Sequence, residues 1–367
     1  MRGFFLEDVP VELIVASIGF TLGIIFGATA QSTNFCTMGA ISDIIFIGNW
    51  NRFRAWVLSI SVALFLSQIL HFNSVINLNN SIYLSPSFSW AGAIIGGLMF
   101  GFGMTLTGGC GNKILVRIGA GSLKSLIVFI FLGLFAYMTL RGLLGPVRQE
   151  FELLTIVDLK QSGLKSQSIP EFLGMILNIT EKSLEMVIAS IIASLLFIFC
   201  IISRSFRSSY KDLSSGLIIG ILIALGWFTT GVLGNDEFEP IPLSSFTFVA
   251  PIGEAIQYLM TFTGSTIDFG VASVGGVLFG SFIMAKIRGE FRIESFTTQE
   301  DLINHIFGAA LMGIGGVLAL GCTIGQGISG LSTLAASSFI AFFSIIIGCR
   351  IALKYLEEES FIGLFKN

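Results

Sequence analysis

The sequence predicts an all-α membrane protein of about nine transmembrane helices in two inverted repeats, with broken or re-entrant helices. Three observations carry that expectation. Of 367 residues, 53% are hydrophobic and only 12% are Asp, Glu, Lys or Arg, about half the charged share of a soluble protein. The apolar residues come in separate runs near the ~20 needed to cross a hydrocarbon core as helix, without the ~10-residue alternation of a lipid-facing barrel. Glycine is frequent, at 43 residues, and proline rare, at 7, a balance that suits helices in close contact through small residues and locally broken.

Taken in order, the runs place spans near residues 11–33, 54–72, 89–108, 122–140, 185–203, 216–234, 266–285, 302–320 and 330–349. Met1 to Glu12 holds one Arg and three acids, so it lacks the basic leader of a cleaved signal peptide and the first run is expected to stay. Basic residues then sort by connection. Arg52 and Arg54, Lys113, Arg117 and Lys124, Arg204, Arg207 and Lys211, Lys286, Arg288 and Arg292, and Arg350, Lys354 and Lys366 fall on alternate connections and make 14 of the 20 Lys and Arg. By the positive-inside rule the expected topology is N-terminus outside and C-terminus cytoplasmic.

The 141–184 segment is the one long connection. Its Phe151 to Val157 and Phe172 to Leu177 stretches read as short amphipathic helices at the outer surface, or as a solvated linker with interfacial anchoring. A similar patch, Ile252 to Phe262 after Pro251, is placed to dip into the membrane.

A shift of 212 residues sets Gly101, Gly103, Leu106, Gly109 and Cys110 on Gly313, Gly315, Leu318, Gly321 and Cys322, and a shift of 197 sets Gly19 and Gly23 on Gly216 and Gly220. Spans one to four thus match spans six to nine. Five crossings separate each matched pair, an odd number, so the halves are expected to be inverted with span five as connector. The expected division is a first repeat over 1–140, an outer loop with connecting span over 141–215, a second repeat over 216–349 and a tail over 350–367. Inverted repeats meeting at discontinuous helices are a recurring plan of transporters.

Three cysteine breaks stand out: Cys36 in Ser32-Thr33-Asn34-Phe35-Cys36-Thr37-Met38-Gly39, Cys110 between Gly109 and Gly111, and Cys322 after Gly321. Glycine on either side of Cys110 removes the barrier to positive φ and lets the backbone leave the helix, which is tolerated at membrane depth only where it lines a cavity or packs inside protein. Freed amides and half-helix N-termini favour an anion. A thiol is a weak donor with a polarisable sulfur, suited to a sulfur-bearing anion more than to a sugar. Gln31, Ser32, Thr33, Asn34, Lys113, Thr323 and Gln326 add donors beside the cysteines, Lys113 being the nearest cation. Asp43 is placed to cap a helix or pair with Arg52 or Arg54. His305 reads as an interfacial residue, and Cys200 and Cys349 as small core hydrophobes.

Other chemistry is excluded. The five cysteines have no CxxC spacing, so neither a disulfide framework nor a zinc site is expected. No GxxxxGK[ST] motif holds a nucleotide, no cofactor is implied, and no basic stripe points to nucleic acid. The span centres carry no clear acid or base, which disfavours strong proton or sodium coupling.

The motifs Asn34-Phe35-Cys36-Thr37-Met38-Gly39-Ala40, Gly108-Gly109-Cys110-Gly111 and Leu320-Gly321-Cys322-Thr323-Ile324-Gly325-Gln326-Gly327 together resemble the YeeE/YedE sulfur-transport family along nearly the whole chain. The resemblance implies an hourglass-shaped inner-membrane permease for thiosulfate. The anion would pass between pore cysteines, here Cys36, Cys110 and Cys322, by thiol hydrogen bonds without a lasting covalent intermediate. It also implies a TusA-like cytoplasmic sulfurtransferase as partner. The chain departs from many members in carrying Ser32-Thr33-Asn34 where they have arginines, and Lys113 where they have small or polar residues, so a related sulfur or selenium oxyanion stays open as substrate. A protein whose cysteine is persulfidated or oxidised and passes sulfur onward is the rival reading, and a structural membrane subunit a third.

Overall fold

The computed structural model describes residues 10–177, 182–236 and 240–358. The charge pattern read from Met1–Glu12, and the end of the tail, lie in part outside the described residues.

The chain is built of helices in this order: α1 (Val11–Thr33), α2 (Thr37–Ser42), α3 (Asn51–Phe72), α4 (Trp90–Leu106), α5 (Gly111–Gly119), α6 (Leu123–Arg141), α7 (Gly145–Thr155), α8 (Ile169–Leu177), α9 (Lys182–Ile201), α10 (Arg204–Ser208), α11 (Tyr210–Phe228), α12 (Val249–Met260), α13 (Phe269–Ile287), α14 (Gln299–Leu318) and α15 (Ala336–Glu358). Among the described residues, eight helical units are long and apolar enough to cross a membrane. The predicted fifth span is α9, whose apolar stretch Glu185–Ile201 is shorter than these eight. The multi-pass character follows from these lengths, since only internally bonded helices or closed barrels satisfy the backbone in lipid.

Two span starts move by six residues: α11 begins at Tyr210, ahead of the predicted 216, and the ninth span shifts the other way. The predicted ninth span starts at 330, but α15 starts at Ala336, because residues 323–332 form a separate short helix that ends where Leu334 takes a left-handed φ of 60°. The Ile252–Phe262 patch is mostly α12, a helix too short to span.

Packing partners come in exchangeable pairs. α1 packs on α13 as α11 packs on α3, and α4 packs on α15 as α14 packs on α6. Glycines set the approach distances: Gly23 meets the Ser273 carbonyl of α13, and Gly220 meets the Ser59 carbonyl of α3. On the other pair of contacts, a Cβ at Gly313 would lie 2.7 Å from Leu132 O, and Gly101 faces Ile345 O in the same manner. Such contacts leave no room for a side chain, which is how helices associate without a hydrophobic drive in lipid.

The long connection is more than a linker. Val157–Asp158 pairs antiparallel with Ser87–Phe88, and Ile169 N donates to Leu334 O while Ala336 N donates to Gln167 O, both at 2.9 Å. The connection therefore holds the turn that leads into α15.

Candidate functional site

The three cysteine breaks share one backbone device. Asn34, Gly108 and Leu320, each two residues before its cysteine, have φ of 56°, 69° and 58°. The next residue's amide reaches back five positions: Phe35 N to Ala30 O at 3.2 Å, Gly109 N to Met104 O at 2.8 Å, and Gly321 N to Gly316 O at 2.8 Å. This is the Schellman ending of a helix. The cysteine then becomes the N-cap of a new helix, its carbonyl accepting from Ala40 N at 3.0 Å, Ile114 N at 3.0 Å or Gln326 N at 2.8 Å. Each break thus closes one helix and opens another within four residues.

This geometry corrects the expected role of Gly109 and Gly111. The left-handed corner is Gly108, because the Schellman turn needs it immediately after the helix. Gly109 and Gly111 matter for space: a Cβ at Gly109 would lie 3.0 Å from Lys113 Cγ, and one at Gly111 3.4 Å from Phe248 Cβ. Gly321 follows the corner at Leu320, and a Cβ there would lie 3.3 Å from Gln326 Cγ.

Four short helices direct their N-termini at one region. Cys36 caps α2, Cys110 caps α5, Cys322 precedes the helix over 323–332, and Phe248 caps α12, its carbonyl accepting from Ile252 N at 3.3 Å. The Cys36 and Cys110 thiols lie against one another. Cys110 also contacts the Thr37 amide and the Thr323 side chain and donates to Asn112 Oδ1 at 2.6 Å. Cys322 lies against the Phe248 and Ile324 amides and the Thr247 side chain, and accepts from Gly325 N at 3.4 Å. The cysteines are all free thiols, and no cluster of potential metal ligands occurs among the described residues.

Polar atoms are left over around the thiols. Thr37 Oγ1, Asn112 Nδ2 and Thr323 Oγ1 are buried without a hydrogen-bond partner of regular geometry among the described residues. Each stands one or two residues after a cysteine. Gln326 ties its own break together by donating through Nε2 to Ala319 O, while its Oε1 stays unpartnered. An unsatisfied buried polar group costs ~1–3 kcal/mol, so three of them beside three thiols mark a place suited to an acceptor-rich ligand.

Two cavities open at opposite ends of α3 and α11. One, of about 940 Å³, reaches Cys36 and is lined by Gln31, Thr33, Asn34 and the cations Arg52, Lys113, Arg117, Lys124, Lys211 and Arg292. Asp212, Glu290 and Glu294 also line it. The other, of about 1110 Å³, has Glu185 and His71 as its only ionisable lining groups among the described residues and is otherwise rich in Asn. Cys36 is 4% exposed, and Cys110 and Cys322 are fully enclosed.

Lys113 donates to Asn34 Oδ1 at 3.0 Å. Arg52 bonds Asp43 Oδ2 at 3.0 Å and Asn34 O at 2.8 Å, so the expected Asp43 pairing is present. Ser32 O accepts from Arg288 at 2.6 Å, and Gln31 donates to Glu290 at 2.9 Å. Thr33 is spent on its own helix, donating to Thr29 O at 2.8 Å.

A family model described as sulphur transport matches residues 32–351 and takes in all three breaks. The chain belongs to the sulphur-transport family. It is similar to the thiosulfate transporter TsuA of Escherichia coli, 25% identical over 361 residues that cover 93% of this chain and 95% of that protein. It is also similar to the thiosulfate transporter TsuA of Spirochaeta thermophila, 26% identical over 335 residues with 90% and 96% covered. A shorter match, 32% identical over 95 residues, joins it to the probable transporter YedE of Escherichia coli and covers 25% of this chain and 21% of that protein. Its sulphur-transport relatives are named for transport and not for catalysis, which sets the enzymatic class aside.

Within this sulphur-transport protein, sequence reasoning missed Phe248, Thr247, Arg52 and Arg117 as neighbours of the breaks. Phe246-Thr247-Phe248-Val249 carries neither glycine nor cysteine, so no local signal marked the fourth N-cap. The arginines reach the breaks through tertiary contacts.

Proposed function

We propose that the chain is a permease that carries thiosulfate, or a closely related sulfur-bearing anion, inward across the bacterial inner membrane along Cys322, Cys110 and Cys36. The observation that carries this reading is the buried, unpartnered donor following every break cysteine: Thr37, Asn112 and Thr323. A dianion with acceptor oxygens and a soft terminal sulfur satisfies these hydroxyl and amide donors and the weak thiol donors together. The helix N-termini of α5 and α12 add partial positive charge without a fixed cation that would trap the anion. Asn34, Gly109, Gly111, Gly321 and Gln326 hold the breaks in shape, and Lys113 draws the anion toward the basic mouth.

The basic cavity is proposed to face the cytoplasm, with the N-terminus outside and the C-terminus inside. The uneven distribution of cations between the two cavities supports that orientation. The halves over 1–140 and 216–349 are proposed to be inverted copies, supported by the exchangeable helix contacts and the recurrent break. A TusA-like sulfurtransferase is the proposed recipient at the basic mouth, where the anion would emerge.

Cys110→Ala removes the central thiol while leaving the Schellman corner at Gly108 intact. Purified variant in liposomes is expected to lose labelled-thiosulfate uptake while eluting as a monodisperse protein. Uptake at the wild-type rate by such a variant would eliminate the thiol path.

The Cys36–Cys110 contact favours one second reading, a sulfur relay. In it a thiolate attacks the outer sulfur of thiosulfate, the sulfur–sulfur bond of the anion breaks, sulfite leaves with its electron pair, and a persulfide remains on the cysteine. Mass spectrometry after turnover distinguishes the two: a stoichiometric persulfide on either cysteine supports relay, and unmodified thiols support the permease.

A further inference from the structure

The cations of the basic cavity are not equally neutralised. Lys124 pairs with Asp301 at 2.6 Å and also faces the Phe296 ring, and Arg52 pairs with Asp43. Lys113, Arg117, Lys211 and Arg292 make no ion pair with any acid among the described residues, and of these four Lys113 and Arg117 are the two that reach the cysteine breaks. The Lys113 ammonium donates to a neutral amide, Asn34 Oδ1, and the Arg117 guanidinium turns back onto the Cys110 break, where a Cβ at Gly108 would lie 3.2 Å from its Nη1. Of the three carboxylates in the same cavity, Glu290 is engaged by Gln31 and lies 3.8 Å from Arg288. Asp212 accepts from Ser209 at 2.6 Å. Glu294 is joined to Ser122 through its backbone alone, and its carboxylate makes no ion pair with Lys113 or Arg117.

Lysine and arginine on a cytoplasmic connection satisfy the charge rule simply by facing water or lipid headgroups. These do something more specific. Arg52 on the Asn34 carbonyl, Lys113 on the Asn34 side chain and Arg117 against Gly108 converge on two breaks that meet at Cys36 and Cys110. Arg52 keeps a buried Nε without a partner, and like charges held this near one another lower their own stability unless an anion joins them.

We infer that Lys113, Arg117 and Arg52 form a holding site for a divalent tetrahedral oxyanion at the basic mouth, just beyond Cys36 and separate from the thiol path. The inference rests on the permease reading for its physiological direction, but the site itself is a matter of charge and geometry. Two unpaired cations select a dianion over a monoanion. Thiols play no part in it, so sulfate, which has no soft sulfur to offer, occupies it as well as thiosulfate. Sulfate on that side of the membrane therefore competes with thiosulfate leaving the path and slows net uptake.

The test uses the full-length protein in detergent, with equilibrium dialysis against labelled sulfate, labelled thiosulfate and labelled thiocyanate, and in parallel thiosulfate uptake by proteoliposomes. Sulfate is expected to bind the wild type and to be displaced by thiosulfate. Lys113→Gln with Arg117→Gln should weaken sulfate at least about tenfold, as loss of two close charges requires, and leave thiocyanate unchanged. The charge-keeping pair Lys113→Arg with Arg117→Lys should restore sulfate binding, which separates charge from a folding defect. Cys110→Ala should keep sulfate binding. Sulfate bound equally by wild type and the Gln pair overturns the site, as does absence of sulfate binding to wild type or loss of it in the charge-keeping pair. Wild-type protein that binds sulfate as described but takes up no thiosulfate overturns the permease reading instead and leaves the site standing.

Discussion

Asn34 joins backbone and electrostatics in one residue. Its φ of 56° closes α1, a conformation that asparagine tolerates better than other non-glycine residues. Its carbonyl and side chain then receive Arg52 and Lys113. Leu320 occupies the matching corner with no such polar reward, and its φ of 58° is imposed by the flanking turn and by Gln326. A different residue, Glu254 of α12, carries a pH signature. Burial first, and Asp268 second, push its carboxyl up to about 7 against the opposing pull of Arg141. An unfolded glutamate titrates near ~4.3, so the raised value means the fold binds the extra proton. Stability is fully present below the unfolded value and is lost as pH rises through about 7. Glu254→Gln removes that loss: its melting temperature is expected to exceed wild type by a few degrees at about pH 8 and to match it near about pH 4.5. Equal gains at both pH values would assign the effect to packing.

At the level of elements, helix contacts through glycine and the cysteine breaks are the two devices that shape the protein. Gly313 on α14 faces the Leu132 carbonyl of α6, so Gly313→Leu drives a side chain into backbone. It is expected to cost ~1–3 kcal/mol and to be seen as aggregation or a lowered melting temperature in detergent. Gly275 is the control, since a Cβ there would meet only Phe20 ring carbons at 3.6 and 3.7 Å. Gly275→Ala is expected to be neutral or slightly stabilising through helix propensity, and equal damage from both substitutions would remove the close-contact argument. Much of this level was legible in the sequence. Hydropathy located α1, α3, α4, α6 and α13 closely, the Gly-Cys steps located the breaks at Cys110 and Cys322, and the cysteine that follows the first apolar run located the break at Cys36. The ends were less legible where conformation depends on tertiary contact. Leu334 looks like the interior of an apolar run, but it turns because the long connection pairs with Leu334 and Ala336. Phe248 caps α12 with nothing local to announce it. Arg52 and Arg117 read as ordinary charge-rule residues until the fold brings them onto Asn34 and Gly108.

At the scale of the whole molecule, the proposed route would run between a cavity with six cations and one with none, and that asymmetry has an energetic consequence. Moving one elementary charge across the membrane involves ~2.3 kcal/mol per 100 mV, so an uncoupled dianion entering an inside-negative compartment meets about 4.6 kcal/mol per 100 mV. Cations near the basic mouth lower the local energy of the anion but cannot change that difference between the two bulk solutions. Net uptake then depends on consumption of the anion inside or on a co-transported cation. The sequence places no acid or base at the span centres to carry such a cation, which favours uncoupled movement followed by consumption. Liposomes clamped with potassium and valinomycin decide the matter. An inside-positive potential is expected to accelerate thiosulfate uptake by the wild type, and an inside-negative one to suppress it. A rate indifferent to the potential would mean that charge-compensating cations accompany the anion, and the search for their site would begin with the ionisable groups of the second cavity, His71 and Glu185, which lie 3.9 Å apart.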